Sequence, residues 1–230
     1  PDGIMLYRFG KALNDAPLMA FGQWANQQFE PAITIGGYQK HRHLWNLMAY
    51  ATMPKDKVPY PALGDYWFQD IQVITSRKGS QFFAAHGGHN AESHNHNDIA
   101  DFVYYDKGAP IIIDAGRGNY TARTFSAQRY SLWFTQSEYH NLPFINGQGQ
   151  KAGRSFEATA VQSNLSDKSS GITLDLAKAY PAEAGIKTWK RSLQFNKVKN
   201  QVELKDQYEL GALTQPVQQA FMTLCTIDTS

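Results

Sequence analysis

Gln201-Val202-Glu203-Leu204-Lys205-Asp206 alternates polar with apolar residues through most of its length, the period of a strand with one face toward a core and the other toward water. Upstream the same signal recurs in short pieces. Residues 189–195 and 171–176 read as strands, as do 156–162, 110–114, 102–105, 81–85 and 68–76, and turn residues separate them. No helical pattern of about 12 residues intervenes after residue 65, which predicts a mainly β protein. An antiparallel β-sandwich over residues 66–230 is expected rather than an alternation of strands and helices.

The first 52 residues have a different texture. Leu13, Leu18, Phe21, Trp24 and Ala25 fall near helical spacing. A second short helical pattern covers residues 40–50, with Leu44, Leu47 and Met48. Pro31 and Gly36-Gly37 mark a break between the two, and His41 and His43 read as exposed or hinge histidines. Two helices do not make a domain, so residues 1–52 are expected to be the remnant of a larger helical domain. Residues 53–65, with Pro54, Pro59 and Pro61, form a linker with some polyproline stiffness.

The 230 residues carry a net charge of +2, so neither a nucleic-acid footprint nor a basic membrane patch is indicated. No apolar run approaches the roughly 18 residues that a membrane-spanning helix needs. Thirteen Phe, twelve Tyr and five Trp fit a sheet-rich protein and supply faces on which sugar rings stack. The single Cys225 excludes an internal disulfide and a cysteine-based metal cluster. Its apolar neighbours, Phe221-Met222-Thr223-Leu224, predict a buried core thiol. Pro1-Asp2-Gly3 is not a signal peptide, and both termini read as cuts in a longer sequence.

Five of the seven histidines lie between residues 86 and 140. His94 and His96 would project to one face if their segment were extended. Asp114 ends the apolar run Ile111-Ile112-Ile113, where a carboxylate is costly without a cation or donors. His140 follows in Tyr139-His140-Asn141. Two imidazoles and a carboxylate from separate segments suit a divalent transition metal, most plausibly zinc with an open fourth position. On spacing alone, hydrogen-bonded core or surface histidines explain the pattern equally well, and Asp98 and Asp101 compete as carboxylates.

His94-Asn95-His96-Asn97-Asp98 is followed by Ile113-Asp114-Ala115-Gly116 with Tyr120, then Arg129-Tyr130. His140-Asn141 comes next, ahead of Ile145-Asn146-Gly147 and Gln150. This order resembles the heparinase II/III family of polysaccharide lyases, most densely over residues 87–153, with Lys190-Arg191-Ser192-Leu193 a looser match. The resemblance implies an (α/α) toroid followed by an antiparallel β-sheet domain, with the active site in a cleft between them. It implies His96, Asp114 and His140 as ligands of a structural metal, zinc or another divalent ion. His94 then faces substrate as the catalytic residue, either as a donor to the substrate carboxylate or in proton transfer.

The reaction implied is β-elimination at a uronic acid of an acidic polysaccharide, in a periplasmic or secreted protein. Within that frame Arg129 is either a bidentate ligand of substrate acid groups or a structural ion-pair partner. Tyr120 and Tyr139 are sugar contacts or packing aromatics, and Asn141 would orient His140. The family also draws active-site residues from the toroid, nearly all of which is absent from this sequence, so the isolated chain is expected to be inactive. Two other readings remain open: a non-catalytic, metal-stabilised carbohydrate-binding or structural sandwich, and a metal-dependent hydrolase or cupin-like oxygenase.

Overall fold

The structure is a computed structural model that describes residues 2–29 and 40–227, with only the backbone for residues 40–43. The break at Pro31 and Gly36-Gly37 and the side chains of His41 and His43 therefore lie outside the described residues. The chain divides into two compact units that meet between Leu63 and Gly64.

The first unit holds three helices, α1 (Gly3–Leu13), α2 (Ala16–Gln28) and α3 (Lys40–Thr52). Asp2 and Asp15 cap α1 and α2 by accepting the main-chain N–H groups of Met5 and Leu18. Asn14 closes α1 in the left-handed conformation, φ 55°. The stretch that reads from sequence as one helical pattern around residues 13–25 is thus two helices joined at Asn14-Asp15. Their contact is very close: a Cβ on Gly22 would lie 2.3 Å from the Tyr7 main-chain nitrogen. No residue but glycine fits there. Beyond α3, the amides of Gln23 and Gln27 both donate to the Asp56 carbonyl and hold the extended segment.

The second unit is an antiparallel β-sandwich. One sheet, in the order β1-β2-β3-β5-β6, is built from β1 (Tyr66–Phe68), β2 (Val73–Lys78), β3 (Gln81–His86), β5 (Phe102–Asp106) and β6 (Ala109–Ile112). The short β4 (His89–Asn90) leaves that layer to pair with β8 (Gly153–Glu157), and β7 (Pro143–Phe144) pairs with β13 (Gln218–Gln219). The second sheet, in the order β12-β11-β10-β9, consists of β9 (Thr159–Leu165), β10 (Ser169–Asp175), β11 (Ile186–Asn196) and β12 (Gln201–Leu210). All strand pairs are antiparallel.

The core sits between the two sheets. Ile74, Phe83 and Ala85 from the first meet Ile172, Leu174, Leu193 and Phe195 from the second, and the Phe83 and Phe195 rings lie 6.2 Å apart. Burial alternates along β11, as its sequence pattern requires.

Three local expectations are corrected. Residues 68–76 are not one strand, because Gln69–Ile71 form a 3-10 turn and Gln72 adopts φ 50°. Residues 156–162 divide at Ala158, whose N–H is drawn off the ladder to the Gly88 carbonyl. Cys225 is exposed, not a core thiol. Its run belongs to no strand; the Met222 backbone is held by Ile113 and by the Asn141 side chain, and the Thr223 hydroxyl donates to the Ile111 carbonyl.

Candidate metal centre and its cavity

The residues of interest come from three loops at one edge of the first sheet. His94, His96, Asp98 and Asp101 lie between β4 and β5, Asp114 follows β6, and His140 ends a chain of short 3-10 turns before β7. Those turns (Ala122–Phe125, Arg129–Ser131, Trp133–Thr135 and Ser137–Tyr139) had no counterpart in the strand reading of the sequence.

His96, Asp98, Asp114 and His140 each offer a donor atom, all within 4.8 Å of one another. His140 is fully buried. Its Nε2 lies 3.2 Å from the Phe134 carbonyl, while Nδ1 lies 3.0 Å from Asp114 Oδ2 and 3.3 Å from Asp101 Oδ2. A carbonyl only accepts, so Nε2 carries hydrogen and Nδ1 faces two carboxylates. Facing carboxylates, a bare Nδ1 lone pair is repelled, so either a proton or a metal ion must lie between. With a proton there, burial alone would lower the His140 pKa, but Asp101 and Asp114 outweigh it and push it up to about 10. Burial likewise works against the Asp114 charge, yet His140 and the Gly116 N–H hold its carboxyl well below the usual carboxylate range. Burial raises Asp101 and lowers His96. Two imidazole nitrogens and two carboxylates, one imidazole fixed through its far nitrogen by a carbonyl, are a donor set that fits a divalent transition metal.

Asp98 offers a fourth donor atom to the same group, so it stands beside Asp114 rather than in competition with it; its Oδ2 is also 3.8 Å from His86 Nε2. Asp101 is the residue sequence reasoning undervalued. Its Oδ1 accepts from the main-chain and side-chain nitrogens of Asn141 and from the Phe102 N–H, leaving Oδ2 for His140. Asn141, expected from sequence to orient His140, makes no hydrogen bond to its ring and instead holds Asp101, which does. The available signal was an acid directly before the apolar strand Phe102–Asp106, where a buried carboxylate needs donors.

His94 does not share an extended segment with His96. It adopts φ 62°, and its ring stacks on Tyr120 at 5.9 Å and meets the edge of Phe125 at 6.0 Å. His96 instead turns toward His140, with ring centroids 5.4 Å apart. Both line a cavity of about 660 Å³ together with His86, His89, Glu92, Asp98, Asp114 and Arg117. Arg129 stands behind this loop. Its Nε and Nη2 donate to the Asn95 carbonyl and Nη1 to the Thr124 carbonyl, while the Tyr130 hydroxyl donates to Asn95 Oδ1. Neither expected alternative for Arg129, substrate acid or ion pair, describes these bonds. Tyr139 packs edge-on against Trp133.

An antiparallel sandwich carrying beside a cavity a His/Asp cluster that could hold a metal is the class that fold and site define. The family model "Heparinase II/III-like, C-terminal" matches residues 52–225, and the chain belongs to that family. Among solved structures, the chain is similar to heparan sulfate lyase HepC from Pedobacter heparinus, at 16% identity and TM-score 0.54 over 90% of this chain and 28% of that one. It is also similar to Heparinase III, at 15% identity and TM-score 0.52 over 89% of this chain and 35% of the other. The chain thus spans about a third or less of the length of these structures. A search of curated proteins finds no match.

Proposed function

We propose that this chain is part of a polysaccharide lyase that cleaves uronic-acid-containing chains, heparin or heparan sulfate, alginate or a similar polymer, by β-elimination. One observation carries the reading: His94 faces the cavity beside the metal group without belonging to it. A group so placed can meet substrate while its neighbour His96 serves the metal.

In β-elimination a base removes the C5 proton, the electron pair forms the C4–C5 double bond, and the C4–O4 bond breaks with protonation of O4. The C5 proton is poorly acidic until the adjacent carboxylate is neutralised, which calls for preorganised donors. His94 supplies such a donor or takes part in the proton transfer. Its stacking on Tyr120 gives the ring a defined plane, and Tyr120 offers an exposed aromatic face to a sugar. The metal, zinc or another divalent ion, would be held by His96, Asp114 and His140, with Asp98 as a fourth side chain. It would supply structural cross-linking of three loops. The family and its acidic substrates favour an exported protein.

Much of a saccharide-binding cleft would have to come from outside this chain, so the isolated chain is expected to be inactive and the full-length protein active. Absorbance of the 4,5-unsaturated uronate product, followed with both proteins on a panel of uronic-acid polymers, tests this. No product from the full-length protein on any of them would favour a non-catalytic, metal-stabilised carbohydrate-binding sandwich instead.

A further inference from the structure

Resting on the lyase reading above, we propose that Arg117, and not Arg129, is the residue that recognises the acidic group of the substrate. The two arginines stand in opposite circumstances. The guanidinium of Arg129 is engaged at three nitrogens by main-chain carbonyls. Its planar fork grips the peptide between His94 and His96, and a guanidinium so committed has little left for a carboxylate. Arg117 lines the cavity with His94. Among the described residues it forms no hydrogen bond or ion pair, and its one recorded partner is the Tyr120 ring, 5.8 Å from the guanidinium carbon.

Charge makes this residue decisive. The same cavity is lined by Glu92, Asp98, Asp101 and Asp114, and Arg117 is the only lysine or arginine among its lining residues. Asp98 and Asp114 belong to the metal group and Asp101 to His140, so their charge is offset within the site, and Arg117 is the one guanidinium or ammonium left to meet an anionic sugar. A free guanidinium meets a carboxylate or sulfate with two parallel N–H donors. The adjoining surface suits the rest of the sugar: Tyr120 and Phe125, both exposed, form an edge-to-face pair with centroids 5.4 Å apart against the His94 ring. Arg117 thus selects acidic over neutral sugars, the aromatic pair holds the ring, and Arg129 is a positioning residue that keeps His94 in place.

The test uses the metal-loaded full-length protein and calorimetric titration with an oligoglucuronate and its carboxyl-reduced, neutral counterpart. Arg117→Gln should lose roughly tenfold or more in affinity for the acidic ligand and leave the neutral one unchanged, so that the acid-over-neutral preference disappears. Arg129→Lys should keep the preference ratio while lowering turnover more than it raises KM, and should shift the His94 ring resonances, which Arg117→Gln should not. A preference that survives Arg117→Gln, or vanishes in Arg129→Lys, overturns this assignment and leaves the lyase reading intact. A wild-type protein that neither prefers the acidic ligand nor forms unsaturated product from any of the uronic-acid polymers overturns both.

Discussion

His140 has both ring nitrogens committed, so the behaviour of the centre depends on the groups that hold its partners. Asp101 is the foremost of these, buried and bonded to His140 on one oxygen and Asn141 on the other. Asp101→Asn keeps the shape but removes a charge that faces His140 Nδ1 beside Asp114. It is expected to weaken metal binding by roughly 10–100-fold, read by competition with a chromophoric chelator. His94 lies outside the metal group. His94→Ala in the full-length protein should therefore abolish most turnover while metal content and melting temperature stay near wild type. A kinetically silent variant would remove His94 from the reaction.

The candidate residues of the metal group were legible in sequence through the order of the motifs around them, since clustered histidines alone fit a hydrogen-bonded core equally well. Their division of labour was not. Period-two reasoning presumes an extended backbone, and the left-handed His94 with its clamped neighbour Asn95 breaks that premise.

Strand alternation was the dependable signal among the elements, since β11 buries one face and β12 half-buries one while wetting the other. It failed where the chain leaves the ladder for reasons that lie far off in sequence. Ala158 turns to Gly88, and the 3-10 turns before His140 are held by contacts such as Arg129 to Asn95.

The β11–β12 hairpin carries a buried ion pair: Arg191 donates from Nε and Nη2 to both oxygens of Asp206, and from Nη1 to the Asn141 carbonyl. Arg191→Ala leaves Asp206 without its partner and should cost about 3–5 kcal/mol, measured by urea denaturation. A second polar tie, at the edge of the sandwich, sets an acid limit. Burial raises the Asp65 pKa, but the Lys197 ammonium, the Arg77 main-chain N–H and the Ser170 hydroxyl outweigh it and leave it below 3.8. A depressed folded value means the stabilisation is present above the unfolded pKa and is lost as pH falls through the folded one. Asp65→Asn should accordingly be less stable than wild type at neutral pH, with the gap closing below about pH 4, as followed by thermal melts across pH.

For the molecule as a whole, an ion held by the His/Asp group would tie three loops that are separate in sequence, so the sandwich unit should depend on it. Chelation is expected to lower its melting temperature by roughly 5–15 °C, reversibly on adding back zinc, with no comparable change in the His140→Ala variant.

The Asn141 side chain gives this dependence an order in time. Its amide nitrogen donates to Asp101 and to the carbonyls of Phe102 and Ile113, and its oxygen accepts from the Met222 N–H. The scaffold behind Asp101 and His140 is therefore complete only when a segment some 80 residues beyond His140 has docked. Contacts so distant in sequence form late in folding. During synthesis the emerging chain displays its histidines long before the ribosome releases the residue that locks them, so an ion held there would be captured by a nearly finished sandwich rather than guide its assembly.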